Sequence, residues 1–340
     1  MTSELEARPA APTLEAVAAL AGVSRSTVSR VVNESPRVTA EAIDAVTRAI
    51  EQLGYVPNRA ARTLASRRTQ AIALVIPENT AKFFSDPFFA TVVQGIAMHL
   101  ATTEYTLSML IASETNPEKT RRYLQGGNVD GALILSHHSD DNSYRALARS
   151  LPVVFGGRPM SVEGEDSYVV DVDNIGAAAL ATKYLVDHGR TRIATIAGPQ
   201  DMAAGLDRLK GWRVALDQAG LSAGAVEIGD FTPPGGAAAM ERLLATGDPF
   251  DAVFVASDQM AYGALGVLRD RGLRVPQDIA VVGFDNDYYS TSSLPPLTTI
   301  EQSSVAMGAK MAEVLVRLIA GETVQKLTVL PTTIIERESV

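Results

Sequence analysis

The sequence has 340 residues, of which 46% are hydrophobic, and a net charge of −9 at pH 7. This length and hydrophobic fraction are typical of a globular protein with two or three domains. The absence of cysteine excludes disulfide bonds, thiolate catalysis and cysteine zinc sites. With only four histidines, a histidine-rich metal centre is also disfavoured. No apolar run reaches the ~18 residues of a membrane span, and the N-terminal residues lack a secretory signal pattern, so we expect a cytoplasmic protein.

The charge is unevenly distributed along the chain. Residues 1–70 contain nine arginines and seven acids, and residues 55–70 contain four arginines and no acid. The rest of the chain is strongly acidic. A small cationic segment on an acidic body is typical of a protein that contacts phosphates in one place only.

Three short helices are predicted in residues 13–54. The first lies between Thr13, its expected N-cap, and Gly22, and its apolar residues have amphipathic spacing: Leu14, Val17, Ala18 and Ala21. The second begins after Ser24 and turns three valines inward, Val28, Val31 and Val32. The third, capped by Thr39 and ended by Gly54, buries Ile43, Val46, Ile50 and Leu53. The three helices would share one small core.

The first two helices, joined by a tight turn that contains glycine, have the arrangement of a helix-turn-helix motif. The second helix presents Arg25, Ser26, Ser29 and Arg30 on its outer face. Serine donates hydrogen bonds to phosphates or bases, and arginine binds guanine O6 and N7 together. An ordinary polar helix face is the alternative that this pattern leaves open.

The segment GYVPNRAARTLASRRT follows the third helix. Pro57 disfavours helix before it, and Asn58 is a suitable N-cap for a short helix that ends near Ser66. So short a helix is marginal in water, and its arginines indicate that DNA stabilises it. Leu64 is then a candidate wedge between base pairs in the minor groove.

Residues 13–69, with the patterns AGVSRSTVSRVVN and GYVPNRAARTL, resemble the lactose and galactose repressor family of bacterial transcription factors. The resemblance implies an all-α helix-turn-helix head, with Arg25 and Ser26 as the positions that vary operator preference. It also implies a hinge helix that lies along the minor groove. The DNA-binding residues that it implies are Thr13, Ser24, Arg25, Ser26, Thr27, Ser29, Arg30, Asn33, Tyr55, Asn58, Arg59, Arg62 and Leu64.

From Thr69 onward, short β-rich runs alternate with helical stretches, which predicts parallel sheets of βαβ units in two lobes. The runs are 71–77, 105–111, 131–135, 152–155, 192–198, 252–256 and 279–283. Open parallel sheets bind ligands beyond the carboxyl ends of their strands. Carboxylates, amides and hydroxyls follow these runs, and aromatic residues lie nearby, which is the mixture that polyols need. Each of these aromatic residues could instead pack in the hydrophobic core and not contact a ligand.

The second part of the chain resembles the same family, whose effector domain is similar to periplasmic sugar-binding proteins. The matching segments include LDRLKGW, GDF, ASDQMAYGAL and IAVVGFDN. The resemblance implies an α/β domain of two Rossmann-like lobes in which Arg208 clamps effector hydroxyls, Asp285 accepts from them and Phe231 stacks. Ser257 stands where several members have asparagine, and Gly156, followed by Arg158, stands where a member has aspartate, so the identity of the sugar stays open. The expected effector-binding residues are Glu78, Phe84, Phe88, Ser136, Arg158, Arg208, Phe231, Ser257 and Asp285.

The resemblance also implies the domain boundaries. We expect a flexible N-terminus (1–12), a DNA-binding domain (13–57), a hinge (58–69) and an effector and dimerisation domain (70–340). The first lobe would contain 70–167 and 298–327, and the second 168–297 and 328–340. No leucine heptad follows IIERESV, so a homodimer is expected rather than a tetramer.

Two other classes of protein are alternatives to a regulator. An enzyme is disfavoured because neither a G-x-S-x-G elbow nor a phosphate-binding G-x-x-x-x-G-K is present, although His137 and His138 lie near Asp140. A transported-solute receptor would have no use for residues 13–69. The expected function is a repressor of carbohydrate genes, without cofactor or metal, which a small sugar releases from a palindromic operator. The segments GGRP, GPQDM and PEN favour a β-glucoside effector, and corepression or activation stays open.

Overall fold

The computed structural model describes residues 12–32, 37–56, 68–78, 80–111, 117–136, 138, 147–160 and 167–340. The chain divides into two compact units, Met1–Thr69 and Gln70–Val340. No helix among these described residues is long and apolar enough to cross a membrane.

The first unit, here called the head, contains helices α1 (Leu14–Ala21), α2 (Arg25–Val32) and α3 (Ala40–Leu53). Thr13 and Thr39 cap α1 and α3, because their hydroxyls accept from backbone N–H groups three residues later. Gly22 and Gly54 end the same helices in the left-handed conformation, as their positions in the sequence predict. The shared core consists of Val17, Ala18, Val28, Val46, Ala49 and Tyr55. Ile43 was expected in this core but is 42% exposed, because so small a core covers only the later turns of α3.

The first lobe of the second unit is built on a six-stranded sheet in the order β11-β5-β4-β3-β1-β2, in which all neighbours are parallel. Its strands are β1 (Ala71–Ile76), β2 (Thr106–Ile111), β3 (Gly131–Leu135), β4 (Val153–Gly156), β5 (Tyr168–Val172) and β11 (Leu327–Leu330). Its helices are α4 (Thr80–Ser85), α5 (Pro87–Leu100), α6 (Pro117–Gln125) and α12 (Ser304–Ile319). Apolar residues of α5 and α12 pack against one face of the sheet.

The second lobe has a six-stranded sheet in the order β12-β10-β9-β8-β6-β7, with β12 antiparallel to β10. Its strands are β6 (Ile193–Ala197), β7 (Val226–Ile228), β8 (Ala252–Val255), β9 (Ala280–Asp285), β10 (Thr298–Gln302) and β12 (Thr332–Ile335). Its helices are α7 (Asn174–Asp187), α8 (Ala203–Ala219), α9 (Pro233–Ala245), α10 (Asp258–Asp270) and α11 (Tyr288–Ser292). Separate apolar cores cover the two faces of this sheet.

The expected boundaries between the lobes are wrong at all three crossings. Strand β5 was assigned to the second lobe, but it pairs with β4 and β11 in the first sheet. Strand β10 was assigned to the first lobe, but it pairs with β9 and β12 in the second. The first two crossings therefore follow Val172 and Gln302, and the third follows Leu330, three residues later than expected. The choice of sheet depends on pairing with distant residues, which the local sequence does not determine.

Candidate functional sites

A cleft of about 840 Å³, counted to its open mouth, lies between the two lobes at the carboxyl ends of their strands. This is where open parallel sheets bind ligands. Of the nine residues expected at an effector site, seven line the cleft: Phe88, Ser136, Arg158, Arg208, Phe231, Ser257 and Asp285. The structure does not bring Glu78 and Phe84 into the cleft wall.

Arg208 on α8 lines the cleft and has only 5% of its surface exposed. Its Nε donates to Asn174 Oδ1 at 3.0 Å, and its Nη1 donates to the Ala256 carbonyl at 2.7 Å and to Asp285 Oδ1 at 3.2 Å. The guanidinium carbon lies 3.6 Å from the centre of the Phe284 ring. Burial lowers the pKa of Arg208, and the Asp285 carboxylate opposes this effect. The guanidinium plane is therefore fixed before any ligand arrives.

Asp285 ends β9 with a φ of 117°, a strained conformation for a residue with a side chain. Its Oδ1 also accepts from Gln302 Nε2. Burial raises the pKa of Asp285 to about 7, and the positive charge of Arg208 opposes this shift. Ser136 and Phe231, which also line the cleft, have positive φ as well. The cleft wall therefore concentrates the backbone strain that is common at functional sites.

Two ion pairs join the lobes at the cleft. Arg158 Nη2 lies 2.9 Å from both carboxylate oxygens of Asp207 on α8. His138 Nδ1 lies 2.8 Å from Asp201 Oδ2, and its Nε2 lies 3.0 Å from Glu78 Oε1. Arg158, His138 and Glu78 belong to the first lobe, and Asp207 and Asp201 belong to the second. These contacts join the two lobes beside the cleft.

Glu78 serves this interlobe contact and not the cleft wall. It also accepts from Ser136 Oγ at 2.6 Å and from Lys82 Nζ at 2.9 Å. Burial would raise the pKa of Glu78, but hydrogen bonds from His138, Ser136 and Lys82 lower it to about 2. The same hydrogen bond to Glu78 raises the pKa of His138 to about 9. Phe84, the other expected residue outside the cleft wall, packs edge-on against Phe83 and is 77% exposed.

The sequence prediction missed several polar residues of the cleft: Lys82, Asp86, Asp171, Asn174, Gln259 and Gln302. Asp86 N-caps α5 directly before Pro87, a signal that the sequence carries. Asp171 and Gln302 lie at the ends of β5 and β10, two strands that were not predicted. Asn174 links Asp171 to Arg208, because its Nδ2 donates to the first and its Oδ1 accepts from the second.

The outer face of α2 in the head carries the residues expected to contact DNA. Arg25, Ser26 and Arg30 are exposed, whereas Thr27 and Ser29 are half-buried. Ser24 accepts from the Thr27 N–H at 3.1 Å and begins the helix. Arg25 Nε lies 3.1 Å from Glu15 Oε1 on α1.

Two expected DNA contacts have structural roles in the head. Tyr55, after Gly54, is 8% exposed and packs in the core, so its ring does not form an outer surface. The Thr13 hydroxyl is exposed but accepts from the Ala16 N–H at 3.2 Å. The remaining expected contacts lie outside the described residues, together with the hinge helix: Asn33, Asn58, Arg59, Arg62 and Leu64.

Two family descriptions match the chain. Residues 13–58 match bacterial regulatory proteins of the lacI family, and residues 182–340 match a periplasmic binding protein-like domain. The HTH-type transcriptional regulator CelR of Thermobifida fusca is 48% identical over 333 residues, which cover 96% of this chain and 98% of CelR. The ribose operon repressor of Escherichia coli strain K12 is 36% identical over 320 residues, or 92% and 95% of the two chains.

Solved structures are similar over nearly the whole chain. A complex of the transcriptional regulator CelR with cellobiose has a TM-score of 0.78 and 46% identity, covering 97% of this chain and 100% of that one. The lac repressor dimer bound to operator and the anti-inducer ONPF has a TM-score of 0.84 and 29% identity, covering 96% and 98% of the two chains.

Proposed function

Because this chain belongs to the lacI family of bacterial regulatory proteins, it is a sequence-specific DNA-binding regulator and not an enzyme, and we propose that its effector is a β-linked glucose disaccharide. In this proposal the protein represses genes for uptake and breakdown of that sugar. Cellobiose is the first compound to test, since the CelR relative is described in complex with it. Its site of action would be the bacterial cytoplasm, where operator DNA lies.

The fixed position of Arg208 carries the proposal for a sugar. The guanidinium and the Asp285 carboxylate lie 3.2 Å apart in the cleft and offer a donor and an acceptor to neighbouring hydroxyls. Phe88 and Phe231 line the same cleft and supply flat apolar surfaces for the C–H faces of a sugar ring.

The proposed allosteric mechanism couples this cleft to the head. A homodimer would place two heads on the two half-sites of a palindrome, with both hinge segments at its centre. Sugar binding would change the relative position of the lobes and destabilise the hinge helices. By linkage, operator DNA must then weaken sugar binding by the same factor as sugar weakens operator binding.

An operator selected from random double-stranded DNA by the purified protein supplies the probe for the test. We expect an inverted repeat, an electrophoretic shift with it, and loss of the shift on addition of cellobiose. Maltose, which differs only in its glycosidic linkage, is the matched control and should leave the shift unchanged. The sugar should be recovered intact. Turnover of the sugar, or failure to select any palindrome, contradicts the proposed function.

A further inference from the structure

The contact between Glu15 and Arg25 joins the first turn of α1 to the first residue of α2. Arg25 Nε lies 3.1 Å from Glu15 Oε1, and the two side chains are 74% and 61% exposed. An ion pair so exposed contributes little to stability. The apolar core and the Thr13 cap hold α1 in place, and a carboxylate in the first turn adds only a modest stabilisation through the helix dipole.

A carboxylate beside the recognition helix has an electrostatic cost. Glu15 lies next to Arg25 on the side of the head that also presents Ser26 and Arg30, where a negative charge repels DNA phosphates. The hydrogen bond from its own backbone N–H lowers the pKa of Glu15, and the Thr13 hydroxyl and Arg25 act in the same direction. Glu15 is therefore ionised at neutral pH, and the repulsion is present whenever the head approaches DNA.

The atoms in contact indicate what offsets this cost. A guanidinium has five N–H donors in a rigid planar fork. Glu15 contacts Nε, whereas the two terminal nitrogens, Nη1 and Nη2, form the opposite end of the planar group. That pair of donors matches O6 and N7 of guanine. An arginine held in this way has fewer rotamers to lose when it binds the base, and it is kept away from nearby phosphates.

We propose that Glu15 is a positioning residue for base readout: it holds the Arg25 guanidinium by Nε so that Nη1 and Nη2 meet the major-groove edge of one guanine. The inference rests on the proposed role of α2 as the recognition helix. It assigns Glu15 to specificity and not to affinity, since the same carboxylate weakens binding to all DNA through phosphate repulsion.

The test compares base discrimination in the full-length wild-type protein and in Glu15→Gln. Equilibrium binding is measured by fluorescence anisotropy on the selected operator and on variants with each half-site base pair replaced in turn, and on random DNA. The wild-type protein should prefer one G·C pair by roughly 10- to 100-fold over its replacement. Glu15→Gln should reduce this preference by about tenfold at that pair alone. Binding to random DNA should be unchanged or tighter.

Two further variants make the outcome specific. Arg25→Ala should abolish the same preference, and Glu15→Gln in that background should reduce it no further, as expected for residues that act as a unit. Glu41→Gln, which removes an exposed acid from the first turn of α3, is the matched control and should leave every preference unchanged.

Equal tightening on all sequences by Glu15→Gln, with the guanine preference intact, would make Glu15 a source of repulsion only and overturn the inference. Loss of preference at every base pair would also overturn it, because a residue with a structural role would reduce base discrimination at every position of the half-site. Failure of the wild-type protein to select any palindrome would overturn the proposed function itself, and the inference with it.

Discussion

His138 in the first lobe lies 2.8 Å from Asp201 in the second, and its other ring nitrogen lies 3.0 Å from Glu78. Two carboxylates therefore share one imidazole, and each favours its protonated form. Lys82 also contacts Glu78 and adds a positive charge to the group. With Arg158 and Asp207, this contact is one of two ion pairs that join the lobes.

His138 makes stability depend on pH in a definite direction. Its pKa is raised from 6.5 to about 9 in the folded chain, so its contribution is complete below about pH 6.5 and is lost as pH rises through about 9. We expect the free energy of unfolding to fall by about 2 kcal/mol over this range. This is less than the full pKa shift implies, because the ring is partly exposed to solvent. Urea unfolding of the wild type and of His138→Gln between pH 6 and 9.5 measures it.

The His138→Gln variant should lack most of this slope, whereas His188→Gln should retain it, since the His188 ring contacts only a backbone carbonyl and Tyr184 in the described structure. Equal slopes in the wild type and in His138→Gln would contradict the assignment. Glu78 makes stability depend on pH in the acidic range. Its pKa is lowered from 4.5 to about 2, so its contribution to the free energy of unfolding is lost as pH falls from about 4.5 to about 2.

Asp201→Asn should weaken effector binding although Asp201 does not line the cleft. Loss of the charge weakens one interlobe contact and lowers the fraction of molecules whose lobes are closed. The apparent affinity for the effector falls in proportion to that fraction. We expect a three- to tenfold weaker affinity, roughly the effect of one charged hydrogen bond at a partly exposed site, by isothermal titration calorimetry. Asp217→Asn on the exposed face of α8 should have no effect. Equal effects of both substitutions would remove the case for an interlobe role.

The elements that the sequence predicts well are those fixed by neighbouring residues. The caps of α1 and α3 are local, because a threonine hydroxyl meets an N–H three residues later and a glycine tolerates the left-handed conformation. The seven predicted runs are all strands of the two sheets, and six of them are buried along most of their length, as continuously apolar strands are. The seventh, β2, is a partly exposed edge strand, and the buried interior strands β5 and β10 are missing from the prediction. Edge strands such as β7 and β11 are only partly buried and give a weaker signal.

Contacts between distant residues were not predictable from local pattern. The predicted strands place His138 and Asp201 shortly after strand ends. The contact between them joins residues 63 positions apart, and no local pattern predicts it. Tyr55 illustrates the same limit, since family resemblance indicates a position and not the burial of its ring. Gln302 lies in the cleft because β10 crosses into the second sheet, which only strand pairing decides.

Arg208→Lys should weaken effector binding about 50- to 100-fold without weakening operator binding. Lysine keeps the charge but loses the bond from Nε to Asn174 and the planar stacking on Phe284. The loss corresponds to roughly 2–3 kcal/mol, the range for hydrogen bonds to charged groups. Calorimetry with the effector and anisotropy with operator DNA measure the two affinities separately.

Arg213→Lys provides the matched control for this variant, because Arg213 lies on the same helix and is exposed. It should bind the effector as the wild type does. A parallel loss of both effector and operator binding in Arg208→Lys would indicate general unfolding, which circular dichroism would detect, and would contradict a specific role in the cleft.

Leu64→Ala should weaken operator binding while leaving effector affinity nearly unchanged. In the proposed mechanism Leu64 lies at the centre of the operator, where an apolar side chain would insert between base pairs and stabilise a bend. Two copies act in one dimer, so we expect a loss of roughly 10- to 100-fold in operator affinity, with a smaller change on random DNA that is not bent. Val56→Ala is the matched apolar truncation, since Val56 is 83% exposed and precedes the hinge. Equal losses of operator and effector affinity in Leu64→Ala would show that Leu64 supports the fold and would exclude the wedge.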